Sequence, residues 1–270
     1  MVRLVVLVSL VVVLAGATAA AAKGWPTPAA GASVSGDPEI LFTFDDGPSP
    51  TTTASVLDTL AKHHIHAVFF MVGEMADSGN KKVPAIVARI LREGHVIANH
   101  TMKHKDLCRV KDEATAAADI DDGKAAIEKV AGVRTVWFRT PFGARCARVE
   151  KLLAERGLEH FHWDLDPQEW KHGDAKKAFT YVTRALARAQ GRNVLLMHDI
   201  KSATVKALPE ILDWIDAENA RRAAAHQRPI RILQAPDLAR ERLAQGLAAW
   251  AADAMGSTWS LPEAIASVLP

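Results

Sequence analysis

Short apolar runs alternate along the chain with longer stretches in which apolar residues recur every three or four positions. The runs ILFTF (40–44), AVFFM (67–71), HVIAN (95–99), TVWF (135–138), LEHFHW (158–163), NVLLM (193–197) and IRIL (230–233) have the length and residue types of strands. Helical periodicity covers about 51–63, 83–93, 113–130, 147–156, 175–190 and 204–225. Strand and helix follow one another in repeated βα units, the pattern of a parallel sheet. Seven strands in about 195 residues predict an α/β fold, a distorted (β/α) barrel rather than a flat sheet.

The two ends read differently. Met1-Val2-Arg3, the apolar run Leu4 to Leu14 and the small residues Ala15 to Ala22 predict a signal peptide over 1–22 and a secreted or periplasmic protein. The apolar run alone is shorter than the roughly 20 residues of a bilayer span. Extended through the alanines it reaches that length, so a retained anchor is the alternative. Without one, no stable membrane insertion is expected. Residues 23–38, rich in Pro, Gly, Ala and Ser, form a linker or N-terminal arm; the barrel domain takes 39–235. The extension 236–270 carries an amphipathic helix and a second short one, both expected on the barrel's outside.

Composition adds little. The chain is 49% hydrophobic and 24% charged, as globular domains are. Lys and Arg number 33 against 31 Asp and Glu, with no basic block to recommend nucleic acid or an anionic membrane. The two cysteines, Cys108 and Cys146, pair in an oxidising compartment or stay as buried thiols.

Candidate chemistry gathers where these strands end, the catalytic side of such folds. In TFDDG (43–47) two aspartates follow an apolar strand, and alternation lets Asp45 and Asp46 do different work. In HTMKH (100–104) an i, i+4 spacing on a helical turn would put His100 and His104 on one face, near enough to hold one cation. Two histidines and a carboxylate leave a coordination position open, as catalytic zinc requires. Thr101 stands where the zinc proteases' HExxH has its glutamate, so the base comes from elsewhere, with Asp45 the obvious supplier.

RTPFG (139–143), WDLDPQEW (163–170) and LLMHD (195–199) complete an ordered set, with the phrases AVFFMVG and EGHVIANHTMKH around it. From Ile40 to at least Asp199 the set resembles the polysaccharide deacetylase family with the NodB-type homology domain, carbohydrate esterase family four. The resemblance implies Asp45 as general base and Asp46, His100 and His104 as metal ligands. It implies Arg139 holding Asp45, the backbone N–H near Phe142 binding the oxyanion, Leu196 and Trp170 receiving the acetyl methyl, and His198 as general acid. Zn2+ is the first expectation, with Co2+, Ni2+ or Mn2+ as substitutes. Two positions depart from the family pattern. Glu169 replaces the usual Asp, so its tuning of His198 is open and Asp166 is a candidate to compensate; Phe142 stands where tyrosine is frequent.

Other polar clusters read as structural. His63, His64 and His66 straddle a helix end opposite the rim, and His95 begins a strand on that wrong face. His160 and His162 fit a core or wall, and His172 follows the fourth motif with nothing requiring it. Asp119, Asp121 and Asp122 fit a solvated helix face, because Lys124 and Val130 stand where a calcium loop needs glycine and glutamate. Trp163 and Trp170 border the cleft, while Trp214 and Trp250 pack. Cys108 and Cys146 follow motifs on the same rim, where a disulfide would brace the metal loop against the arginine loop. The expected protein is a monomeric N-deacetylase of glycans, peptidoglycan first and chitin fragments or exopolysaccharide next. An O-acetyl esterase acting on xylan-type substrates and a glycan-binding pseudoenzyme are the alternatives.

Overall fold

The computed structural model describes residues 36–255, with side chains through Gln245. The signal peptide, most of the linker, the second C-terminal helix and the Trp250 side chain lie outside the described residues. The strands are β1 (Glu39–Asp45), β2 (Val68–Met71), β3 (Val96–Asn99), β4 (Trp137–Phe138), β5 (Glu159–His160), β6 (Arg192–His198) and β7 (Arg231–Ile232). The helices are α1 (Thr53–Lys62), α2 (Gly73–Ala76), α3 (Val83–Arg92), α4 (Glu113–Ala131), α5 (Ala147–Glu155), α6 (Glu169–His172), α7 (Ala175–Leu186), α8 (Ser202–Ala224) and α9 (Ala235–Met255).

All strand pairs are parallel, in the order β5-β4-β3-β2-β1-β6. β1 is central. β6 runs along one edge of it, while β7 pairs with its start and β2 with its end. Beyond β5 the chain turns back, and Leu165 bridges to Leu195 of β6, so the two ends of the curled sheet meet. The expected barrel is thus observed, with β4, β5 and β7 cut to two residues each.

The alternation of side chains along the strands sorts the core into two layers. Ile40, Phe42, Phe44, Phe69, Met71, Ile97, Leu195 and Met197 face outward onto α1, α3, α7 and α8. Leu41, Val68, Phe70, Ala98, Trp137, Phe161 and Val194 face inward. Ala235 and Leu238 at the start of α9 belong to the inner layer, so the first turn of this helix closes the barrel floor. The physical reason is the hydrogen bond from Ala235 N–H to the His66 carbonyl (2.9 Å), which fixes the helix under the strand starts.

Candidate active site

The parity that buries Leu41 and Val194 carries inward Thr43 and Asp45 on β1, and Leu196 and His198 on β6. Asp45 and His198 are direct partners in the β1–β6 register. The next residue, Asp46, takes φ 75°, a left-handed value that aspartate tolerates. Gly47 follows because a Cβ there would overlap the Asp199 carboxylate.

His100 leaves β3 on the inward parity of Ala98. The segment from His100 to His104 is not the expected helical turn: it is a bend in which Thr101 (φ 69°) and His104 (φ 52°) are left-handed. The bend is held by Asn99, whose carboxamide oxygen accepts the Thr101 N–H (2.9 Å), and by the Thr101 hydroxyl, which accepts the His104 N–H (2.9 Å). Helix α4 supports it from below. The Asp119 carbonyl accepts the Met102 N–H (2.8 Å) and the Asp119 carboxylate the Lys103 N–H (3.0 Å). Asp119 is therefore buried, against the expectation of a solvated face, whereas Asp121 and Asp122 are exposed as expected. Gly123, one turn on, lets the helix reach the Thr101 backbone, which a Cβ would overlap.

Imidazole and carboxylate atoms converge even so. Asp46 Oδ1 lies 3.1 Å from His104 Nε2 and 3.5 Å from His100 Nε2. Ligand atoms around a tetrahedral ion with bonds near 2.0–2.1 Å stand about 3.3 Å apart. These spacings fit a divalent ion. Two further observations agree. Asp46 Oδ1 is buried with no hydrogen-bond partner, an arrangement that costs free energy unless a cation faces it. His100 Nδ1 lies 2.7 Å from the Arg139 carbonyl and must donate to it, which leaves Nε2 as the lone pair facing Asp46. Burial pushes the Asp46 pKa up, but the facing His104 and the charges of His100 and His198 outweigh it and hold the carboxyl at about 2. Burial keeps His100 below the ordinary histidine range, in its neutral, ligating form. Among the described residues this is the one group of three His, Cys, Asp or Glu side chains whose ligand atoms all lie within 4.8 Å of one another. His63 instead faces Asp213 and Asp216 of α8 (3.5 and 3.3 Å), and His95 Nδ1 accepts the Ala67 N–H (3.0 Å).

Asp45 is held from the far side. Arg139, fully buried, donates to Asp45 Oδ1 (2.7 Å), to the Thr43 hydroxyl (2.9 Å) and to the carbonyls of Phe161 and His162 (both 3.2 Å). Its guanidinium lies 4.0 Å from the Phe70 ring centre, so one face is stacked while the edge is hydrogen-bonded. The other Asp45 oxygen is left towards the metal site, 3.6 Å from His100 Nε2.

His198 faces Asp45 from β6, with its Nδ1 2.9 Å from Glu169 Oε1. The same oxygen accepts the His198 N–H (2.8 Å) and the Thr204 hydroxyl (3.2 Å). Burial lowers the His198 pKa, but the Glu169 hydrogen bond and the charges of Asp45, Glu169 and Asp46 raise it above the ordinary value overall. The longer glutamate thus reaches the acid unaided. Asp166, expected to compensate, goes elsewhere: its Oδ1 accepts the Gln168 N–H (2.8 Å) and the Trp170 indole N–H (3.3 Å). Trp170, 45% exposed, stands 6.4 Å from the His198 ring, and Leu196 is buried on the neighbouring inward position of β6. Phe142, 69% exposed at φ 61°, sits against His104 with ring centres 4.8 Å apart. Cys108 and Cys146 form the expected disulfide across the two rim loops, with Cα atoms 6.0 Å apart.

His160 is a wall residue, as expected, between the Thr140 hydroxyl (3.0 Å) and Glu150 (3.0 Å). Asp199 received no role from the sequence. It is fully buried beneath Gly47 and accepts a hydrogen bond from Thr53. Burial, with the Asp46 charge, pushes its pKa up to about 7 against the Thr53 bond.

A parallel barrel whose rim sets one carboxylate and one imidazole around a site of two histidines and an aspartate is the layout of a metal-dependent hydrolase. Residues 33–161 match the family described as Polysaccharide deacetylase. The chain is similar to a peptidoglycan-N-acetylglucosamine deacetylase of Bacillus cereus, 35% identical over 67% of this chain and 84% of that protein. It is also similar to a chitooligosaccharide deacetylase of Sinorhizobium fredii, 34% identical over 62% of this chain and 74% of that protein. A third relative, a peptidoglycan-N-acetylmuramic acid deacetylase of Bacillus subtilis, is 34% identical over 64% of this chain, and the match spans only 35% of that longer protein. Its solved structure superposes with a TM-score of 0.62 at 29% identity, covering 78% of this chain and 96% of the solved one. The chain belongs to the polysaccharide deacetylase family.

Proposed function

We propose that this protein removes acetyl groups from N-acetylated glycans, with the N-acetylglucosamine of peptidoglycan as first substrate class and chitooligosaccharides next. One observation carries the reading: Asp45 and His198, register partners on neighbouring strands, stand together beside the converging Asp46, His100 and His104. A divalent ion held by those three residues, zinc before cobalt, nickel or manganese, supplies a lowered pKa for water and polarisation of the acetyl carbonyl. Asp45 takes the proton of the attacking water, with its orientation fixed by Arg139. The Phe142 backbone N–H faces the developing oxyanion. Leu196 and Trp170 enclose the methyl group. His198 gives its proton to the departing nitrogen, because an amine leaves badly unless protonated. The relatives' named substrates and the Cys108–Cys146 disulfide, at home in an oxidising compartment, support an exported enzyme acting at the cell wall.

Acetate release from N-acetylglucosamine oligomers and from peptidoglycan, lost on chelation and restored by divalent metal, is the expected result. Turnover of acetyl esters alone, with neither glycan releasing acetate, overturns the reading. A second expectation concerns pH. Glu169 raises the His198 pKa, so the acid form persists to higher pH. Glu169→Gln removes that support. The basic limb of the kcat/KM profile then moves to lower pH while the acid limb stays. A profile unchanged on both sides excludes Glu169 as the tuning group.

A further inference from the structure

The outer face of α7 carries a row of cations that neither the reaction nor the fold uses. From Ala175 to Gln190 the chain holds four Lys or Arg residues and no Asp or Glu. Lys177, Tyr181 and Arg184 follow at spacings of four and three along one side of α7, Arg188 stands in the turn just past its end, and all are exposed. Ala178, Val182 and Leu186 on the opposite side enter the core. A shallow, open depression follows the line, with Asp174 at its head. Asp174 lies 3.9 Å from Lys177. Lys176, Arg184 and Arg188 meet no carboxylate within 4.0 Å among the described residues.

The helix dipole favours Arg184 in the last turn but not Lys176 and Lys177, which occupy the first turn where it disfavours cations. The row also leads to the cleft. The Asp166 N–H donates to the Tyr181 hydroxyl (3.4 Å), and the Asp166 carboxylate accepts the indole N–H of Trp170, whose ring borders His198. Tyr181 is 42% exposed, an aromatic face set among cations.

We propose that this row binds the carboxylates of an acidic glycan strand whose acetylated sugar lies in the cleft. Tyr181 stacks on a sugar ring, and Lys177, Arg184 and Arg188 take the charges, arginine forks matching carboxylate geometry. A site one helix wide that meets the border of the cleft through Tyr181 fits a strand better than a planar lipid surface. The proposal rests on the glycan reading above and makes this chain selective for carboxylate-bearing peptidoglycan over neutral chitin.

The test compares the full chain carrying Asp45→Asn, so that substrate persists, with the same protein also carrying Lys177→Gln, Arg184→Gln and Arg188→Gln. Co-sedimentation is measured with peptidoglycan, with peptidoglycan whose carboxylates are amidated, and with chitin. Affinity for native peptidoglycan is expected to fall about tenfold with the three substitutions, and its salt dependence to flatten, as for several screened charge contacts. Binding to amidated peptidoglycan and to chitin is expected to stay the same in both proteins. Equal sedimentation of both proteins with native peptidoglycan overturns the proposal, as does equal affinity for native and amidated walls. Capture by vesicles one-third phosphatidylglycerol as strong as by peptidoglycan overturns it in favour of a membrane. The readout is binding, so the row can fail while acetate release from chitooligosaccharides stands, and the reverse.

Discussion

Asparagine in place of Asp45 lowers acetate release by about a hundredfold to ten-thousandfold, the range over which a positioned general base acts. The substitution keeps the shape of the side chain and an oxygen for Arg139 to donate to, but removes the charge that accepts a proton. Asp45 is not one of the three converging ligands, so bound metal stays near one ion per chain. Asp46→Ala gives the contrasting result, because it deletes the oxygen that both histidines face, and metal and activity are lost together. Acetate assays paired with metal analysis separate the two. If Asp45→Asn strips the metal, or leaves the rate within a few-fold of the parent, the division of labour between the two aspartates is wrong.

That division was legible in the sequence because alternation along a strand lets neighbouring carboxylates do different work. In the structure Asp45 closes β1 and is taken by Arg139, while Asp46, the first residue past the strand, brings Oδ1 to His104 and His100. Long elements with clear periodicity, such as β1, β6, α4 and α8, form within about two residues of where the pattern places them. What the pattern missed was decided by tertiary contact. An i, i+4 histidine pair suggests a helix, yet His100 and His104 meet one aspartate oxygen from a bend that Asn99, Thr101 and Asp119 shape. Asp119 looked solvated because alanines fill α4 on every side and no stripe marks its buried face. The available signal was Gly123, a glycine inside a helix that marks close backbone approach. Single-turn α2 and α6 are shorter than any period can report. The cation row of α7 was equally hidden, since residues three and four apart form no block in the chain.

Arg139→Met lowers stability by about 3–5 kcal/mol, the cost of leaving a buried charge without its partner. For a domain of this size that is on the order of 10 °C in Tm. Methionine keeps an unbranched stem against Phe70 and Phe161, so packing is largely retained and the loss is electrostatic. Four acceptors lose their donor at once: Asp45, Thr43 and the carbonyls of Phe161 and His162. Burial works against the charge on Arg139 and Asp45 opposes that burial, so each ion is tolerable only beside the other. The double variant Asp45→Asn, Arg139→Met is therefore expected to be more stable than Arg139→Met alone, since asparagine leaves no charge stranded. Denaturant unfolding of the parent, both single variants and the double gives the coupling directly. A coupling beyond about 1.5 kcal/mol is expected for this pair, and additivity within about 0.5 kcal/mol would mean that the two groups act independently. Catalysis falls with the single substitution as well, because Asp45 then has no fixed direction in which to present its free oxygen to water.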